Sequence, residues 1–486
     1  MRKFHVFTNA LLSCTLFCAS RGAAAEPSDA PRFEQRLVAE LGMTGGLTSS
    51  EVVRRALNTS FDVGARKADL VAAAADADRA LLGYLPDLSV TASYTRESDV
   101  GASIFGNLIA APGQPTGPLA AGAELVNVPI ELQTILNVYV LQANLLVPVS
   151  DYFLRVAPAR SAAEHARYAA SANVETTRAR VATDARVAYY SWVRAKLAVV
   201  VAEQALEDAK GHLADSRIAE GAGAASPADT LRLESQVARG ELYVVNSRSL
   251  AAVAEEQLRT DMHDASGRAL AIGEDIRQPL AGQDTGSAMA RVPQLRREAL
   301  RNRPELKSTR ESVLGLSDKA RLERAGLFPR LDVIGEAGYS DPNPRVLPVE
   351  DKLRGSWLAG VRLGWSITDV PSAALAARAA EAKSAATSND RSALIDRIHV
   401  EVESAAHAVD DASVALTTTQ RGLDAAEESY RVRRLSFQNG RSTSVELLDA
   451  ETDLTRARLE RLNAEVDDRV ARARLDYAIG RALPTR

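Results

Sequence analysis

Two hydrophobic periods alternate along the chain. In residues 88–95, Leu88, Val90, Ala92 and Tyr94 alternate with Ser89, Thr91, Ser93 and Thr95. In residues 357–366, Trp357, Ala359, Val361, Leu363 and Trp365 alternate with Leu358, Gly360, Arg362, Gly364 and Ser366. A period of two reads as a strand with one apolar and one polar face. Residues 330–339 are similar, and 131–147 give a weaker version. The pattern predicts four strands, at about 88–98, 131–147, 330–340 and 354–367. The other period is helical and very long. Residues 159–210, 372–421 and 441–479 contain no Gly or Pro. At 1.5 Å per residue, a helix of about 50 residues spans about 75 Å. These stretches are rich in Ala, with recurring Leu and Val and dense Arg, Glu and Asp. Small residues let helices approach closely while the charges solvate the outer face. Antiparallel coiled-coil hairpins follow, turning near 221–227 and 439–443.

The two patterns occur twice. Leu57, Pro86 and Val90 match Leu300, Pro329 and Val333 at one constant offset, and Gly223 and Asp229 match Gly440 and Glu446 at a shorter one. Each copy therefore reads helix, Pro, strands, long helix, Gly turn, helix. The first copy carries extra length between Ser98 and Val128, which holds Pro112, Pro115 and Pro118. It is predicted as a long surface loop. The divisions are a signal peptide at 1–25, an N-terminal extension at 26–46, a first repeat at 47–263, a linker at 264–291, a second repeat at 292–481 and a tail at 482–486.

The first 25 residues combine Arg2 and Lys3, an apolar stretch over 4–19, and Ala23-Ala24-Ala25, the order of a secretory signal peptide. Both cysteines, Cys14 and Cys18, lie inside it, so the exported chain has no disulfide framework. Lipidation at Cys14 or Cys18 is the alternative. Charge is nearly balanced, 59 Lys+Arg against 63 Asp+Glu, which argues against a nucleic-acid partner. No apolar run reaches the length of a membrane-spanning helix, but alternating barrel strands escape that test. Four strands cannot close a barrel, since about eight are the minimum. Either the sheet is an ordinary soluble one, or several chains contribute four strands each.

The duplication, the 84–88 junction Tyr-Leu-Pro-Asp-Leu around Pro86, its counterpart at Pro329, and the 299–306 segment Ala-Leu-Arg-Asn-Arg-Pro-Glu-Leu with Arg303 and Pro304 resemble the TolC-like outer-membrane efflux proteins. The resemblance runs from about residue 47 to 480. It implies a mainly α fold with a membrane β-barrel part. Three protomers, each with four strands and two long helical hairpins, would form one 12-stranded barrel continued by an α-helical periplasmic tunnel. It implies a homotrimer set in outer-membrane lipid, working with a periplasmic adaptor and an inner-membrane pump, and no cofactor. It also implies that Glu446 and Asp449, one turn apart after Gly440, form acidic rings in the lumen of the periplasmic tip, with Asp229 in closing contacts. Carboxylate rings select cations. Gly223, Ser226, Gly440, Arg441 and Ser442 would mark the tip turns and adaptor contact.

Catalytic readings are weak. His399, Glu403 and His407 recur every four residues, but the outer two stand about 12 Å apart along a helix, too far for one zinc ion. His165, His212 and His263 stand alone in the sequence. The function the resemblance implies is a passive duct for small-molecule efflux. A duct for protein or peptide secretion, and a periplasmic coiled-coil scaffold without a pore, are the competing readings.

Overall fold

The computed structural model describes residues 30–483 except 102, 114–116, 119, 133–134, 224, 279–285 and 348. The expected signal peptide with Cys14 and Cys18, Pro115, and the end of the tail lie outside the described residues. Helices α1 (Ala30–Glu40), α2 (Ser49–Thr59) and α3 (Phe61–Leu82) lead to strand β1 (Asp87–Arg96), a ribbon of β2 (Ser103–Ala110) and β3 (Val126–Leu132), and β4 (Asn137–Val147). A single turn, α4 (Val149–Asp151), and a π-turn (Tyr152–Val156) then feed α5 (Ala157–Gly221), which turns back as α6 (Pro227–Met262). The second copy repeats this order. It runs α7 (Val292–Asn302), α8 (Pro304–Arg324), β5 (Arg330–Asp341), β6 (Arg354–Gly364), α9 (Val370–Gln438) and α10 (Ser444–Ala478).

The long helices exceed their Gly- and Pro-free cores: α5 has 65 residues and α9 has 69. Each is about 100 Å long. Their buried faces are dominated by Ala, Val, Leu and Thr, which permits close antiparallel packing of α5 on α6 and α9 on α10. α10 also lies against α5, so the hairpins sit side by side. The largest apolar cluster lies mid-length, where Phe33, Leu37, Val52 and Val53 from α1 and α2 meet Tyr189, Trp192 and Leu197 of α5 and Val466 of α10. The linker joins it through Leu270, Ile272 and Ile276, and Ile272 pairs with Leu47 in a parallel bridge.

Strands β1-β4-β5-β6 form one antiparallel sheet with β1 and β6 as open edges. The expected strand at 131–147 is corrected: β4 starts only at Asn137. Residues 126–132 belong instead to β3, paired with β2 in a ribbon that occupies the expected surface loop. Gly106 and Pro129 interrupt the alternation there, so the ribbon is held by its own pairing and not by a buried face. β6 ends at Gly364, short of 367, where a 3-10 turn (Ile367–Asp369) redirects the chain into α9.

Arg303 and Pro304 sit where α7 hands over to α8. Pro304 takes the first helical position of α8, where its missing N–H costs nothing. Arg303 is 5% exposed. Its Nη1 donates to Glu401 Oε2 at 3.0 Å and to the carbonyl of Ala478 at 3.3 Å, and its Nε donates to Glu305 at 3.1 Å. The guanidinium therefore caps the C-terminus of α10 and ties both hairpin helices of the second copy to its opening. Gly480 follows with φ +79°, and a Cβ there would stand 2.8 Å from Asn302. Replacing Arg303 by Met would leave two carboxylates and the helix end unpaired. The expected cost is about 3–5 kcal/mol, read as a lowered thermal midpoint of the purified protein in detergent.

Candidate functional site

The sheet has two unlike faces. Directly opposed residues in antiparallel strands share a face. Leu88, Val90, Ala92 and Tyr94 oppose Leu145, Ala143, Leu141 and Tyr139. That row continues through Val333, Ala337 and Tyr339 of β5 to Val361 and Trp357 of β6. Across all four strands this face holds no charged side chain inside the sheet ends. The opposite face carries charged, amide and hydroxyl side chains (Ser89, Thr91, Gln142, Asn144, Asp332, Glu336 and Arg362) among Val138, Val140, Leu146, Ile334 and Leu358. Gln142 donates to Asn144 at 2.7 Å, and Arg362 to Asp332 at 3.0 Å. Aromatic rings gather at both ends of the apolar face. Tyr94 and Tyr139 pack with centroids 5.0 Å apart at one end, near Tyr339 and Trp357. At the helical end Tyr84 stacks on Tyr152 at 6.0 Å, with Phe153, Phe328 and Trp365 exposed nearby in the chain. An apolar band between aromatic belts is the signature of a sheet in lipid.

The other end of the molecule is the pair of hairpin turns. In the first, Gly223 adopts φ +73° and its N–H donates to the Glu220 carbonyl at 2.9 Å. Ser226 then caps α6, and Asp229 accepts its hydroxyl at 2.8 Å. In the second, Gly440 has φ +71°, and Arg441 N–H donates to Ser436 at 2.8 Å. Both glycines supply the left-handed residue that ends a helix. Thr443 caps α10 in a reciprocal box. Its hydroxyl accepts from Glu446 N–H at 3.3 Å, and Glu446 Oε2 accepts from Thr443 N–H at 3.1 Å. Ser442 donates to the same oxygen at 2.6 Å, while Arg433 reaches Oε1 at 3.3 Å.

Asp229 and Glu446 thus hold equivalent cap positions in the two copies, but their reach differs. Glu446 serves its own turn. Asp229 crosses to the second hairpin, where Ser444 donates to its other oxygen at 2.5 Å. Arg232 completes the junction, donating to Ser444 at 3.1 Å. Hydrogen bonds from Ser444 and Ser226 hold the Asp229 carboxyl below the usual range. Those from Ser442 and Thr443 do the same for Glu446. Asp449 is exposed and faces the groove between α6 and α10, near Arg232 and Arg456. Glu446 and Asp449 are not in contact with Asp229, so the junction and the two acids are separate features of one tip.

Sequence reading missed three groups. Ser444 and Arg232 lie more than 200 residues apart and carry no local signal. The histidines read as solitary have partners: His165 contacts Glu311 at 2.7 Å, His212 meets the Tyr430 hydroxyl at 2.9 Å, and His263 packs edge-on to Phe61. The third group is a polar seam on α10. Glu451 and Arg458 are buried on the stripe that also carries Leu447 and Leu454. Their three- and four-residue spacing from those leucines was a readable signal. Glu403 pairs with Arg296, and among the described residues no three acidic or His side chains are grouped to hold a metal.

Residues 295–481 match the family model described as outer membrane efflux protein. No curated protein matches the chain. Among solved structures, the outer-membrane channel OprN superposes with a TM-score of 0.70 at 19% identity, over 96% of this chain and 98% of its own. The CmeC outer membrane channel of Campylobacter jejuni gives 0.70 at 14%, over 98% and 94%. The MtrE outer membrane channel of Neisseria gonorrhoeae, in its open state, gives 0.71 at 16%, over 89% and 88%. At these identities the likeness establishes the fold: mainly helical, with the strands and long hairpins of these channels.

Two outcomes follow from the geometry. Val361→Arg places a charge on the apolar face and is expected to cost about 2–4 kcal/mol near mid-bilayer. Glu336→Arg on the polar face should be tolerated. Folding into lipid vesicles, scored by heat-modifiable mobility, separates them. Because the Asp229 carboxyl is depressed, its contribution is present above the ordinary carboxylate pKa and is lost as pH falls through the lowered value. Hydrogen exchange in the first turn of α6 should quicken below about pH 4, and Asp229→Asn should be fast at neutral pH as well.

Proposed function

We propose that this chain, which matches the outer membrane efflux proteins over residues 295–481 and has the fold of outer-membrane channels along its length, is a passive exit duct for small molecules. The observation that carries the reading is the sheet: one apolar face, one polar face and two open edges, mounted on helices about 100 Å long. In hydrocarbon an open edge leaves N–H and C=O groups without partners. The edges must therefore be paired by other copies, β6 of one against β1 of the next. Two copies would reach the eight-strand minimum, and the family resemblance favours three. The polar faces then line a lumen that the hairpins extend through the periplasm.

In this arrangement the chain supplies no energy. An inner-membrane pump drives the cargo, and a periplasmic adaptor meets the tip at Gly223, Ser226, Gly440, Arg441 and Ser442. Glu446 and Asp449, repeated by symmetry, form two acidic rings at the aperture. Glu446 is held by its own cap and Asp449 is exposed, so the second ring is the more mobile filter. A scaffold without a pore has no use for an apolar sheet face between aromatic belts.

The test is conduction by the purified protein in planar bilayers. A trimer that forms cation-selective channels supports the duct, and a trimer that never conducts overturns it. Glu446→Gln with Asp449→Asn should move the reversal potential in a salt gradient toward zero. Unchanged selectivity would take these residues out of the lumen. A cysteine at Ser442, introduced into a chain whose own cysteines lie in the expected signal peptide, should cross-link to an adaptor in the native host.

A further inference from the structure

The helix that carries Glu446 and Asp449 also carries a carboxyl group with no partner. Glu451 is 3% exposed, and neither of its oxygens has a hydrogen-bond partner among the described residues. One turn to either side along α10 stand Leu447, Leu448 and Leu454, all buried. Its surroundings are charged nonetheless. α5 presents Asp208 and His212, α9 presents Tyr430 and Glu427, and α10 itself presents Arg458. Across the groove α6 presents Arg232, Arg239 and Tyr243, and Glu34 of α1 faces Arg458. Arg458 is 4% exposed, stands 3.9 Å from Asp208, and lies 4.2 Å from the centroid of the Phe33 ring. One buried cation therefore faces two buried carboxyls, and Asp208 is the one that pairs with it. A second ionised carboxylate would be buried without compensation.

We infer that α10 is seated with Glu451 as a neutral acid, so that the packing of the aperture helix is coupled to the proton this residue holds. The inference rests on the duct reading only for its consequence at the aperture. Glu451 stands five residues after Glu446 and two after Asp449 on the same helix, and it borders the groove of about 1040 Å³ between α6 and α10. Loss of its proton favours states in which α10 moves off α5 and the carboxylate reaches water through that groove. The acids that would form the rings travel with the helix.

The direction follows from the two buried groups of the seam. Burial, with Asp208 adding to it, pushes the Glu451 carboxyl up to about 8. A raised acid stabilises the packed helix fully below the ordinary carboxylate range, and this is lost as pH rises to about 8. Burial pushes His212 down to about 4, so its contribution runs the other way and is complete above the ordinary histidine value. Between about pH 6.5 and 8, Glu451 therefore sets the slope. Asp208 and Glu427, also pushed up by burial, add in the same sense.

Hydrogen exchange on the purified trimer tests this, with intrinsic rates divided out. Protection in the first three turns of α10 should fall about fifteenfold from pH 6.5 to 8. Glu451→Gln should lose that slope and stay protected, and Glu451→Leu serves the same purpose where the amide does not assemble. Equal slopes in wild type and variant overturn the inference. Single-channel conductance over the same range reads the consequence. A channel that conducts without pH dependence removes the coupling to the aperture. No channel at all removes the duct reading and leaves the exchange result standing.

Discussion

A sheet with one apolar face cannot leave its edges unpaired in hydrocarbon. In the proposed duct that constraint governs the rest of the molecule. The four strands are amphipathic across every pair, from Tyr94 beside Tyr139 to Val333 beside Val361. Their outer strands have no partner among the described residues. The ladder therefore demands further copies, and the copies bring their helices with them. In the proposed assembly a tunnel below the barrel follows from pairing the edges, because α5 and α9 lead on from the strands. The π-turn at Tyr152–Val156 and the 3-10 turn at Ile367–Asp369 lead the chain from the sheet into each long helix.

Stability is distributed unevenly along these helices. Mid-length, α1, α2 and the linker wrap the bundle and bury large side chains such as Trp192 and Tyr189. There the chain has an ordinary hydrophobic core, closed by Arg303 at the end of α10. Toward the tip the apolar clusters shrink to a few side chains around Leu447 and Leu233. Caps and hydrogen bonds take over, with Ser226, Thr443 and the Asp229–Ser444 junction as the principal ties. Elements that move are drawn from the less stable part of a structure. A tip built on polar ties can rearrange without disturbing the packed middle.

The polar seam beside α10 fits the same logic. Replacing buried ion pairs by apolar residues is commonly neutral or stabilising. A seam holding Glu451, Arg458 and Asp208 is therefore not there for maximal stability. It gives the aperture helix a packing that depends on charge state, where leucines would give one that does not.

The sequence by itself determined the duplication, the four strands of the sheet except where the second begins, and the two long hairpins, because these depend on local period. Side chains alternate every two residues in a strand and every 3.6 in a helix, and Gly223 and Gly440 mark the turns. The repeat also matched Glu446 to Asp229, and both sit at N-terminal caps. Tertiary structure alone decided what meets across distance. It paired β2 with β3 inside a stretch whose Gly and Pro hide the alternation. It brought Asp229 to Ser444 across 215 residues, gave His212 the Tyr430 hydroxyl, and set Arg303 against the end of α10. It also decided that Glu451 and Arg458 are buried. Their spacing placed them on the apolar stripe, but only the packing of α5 and α9 against it removed them from water.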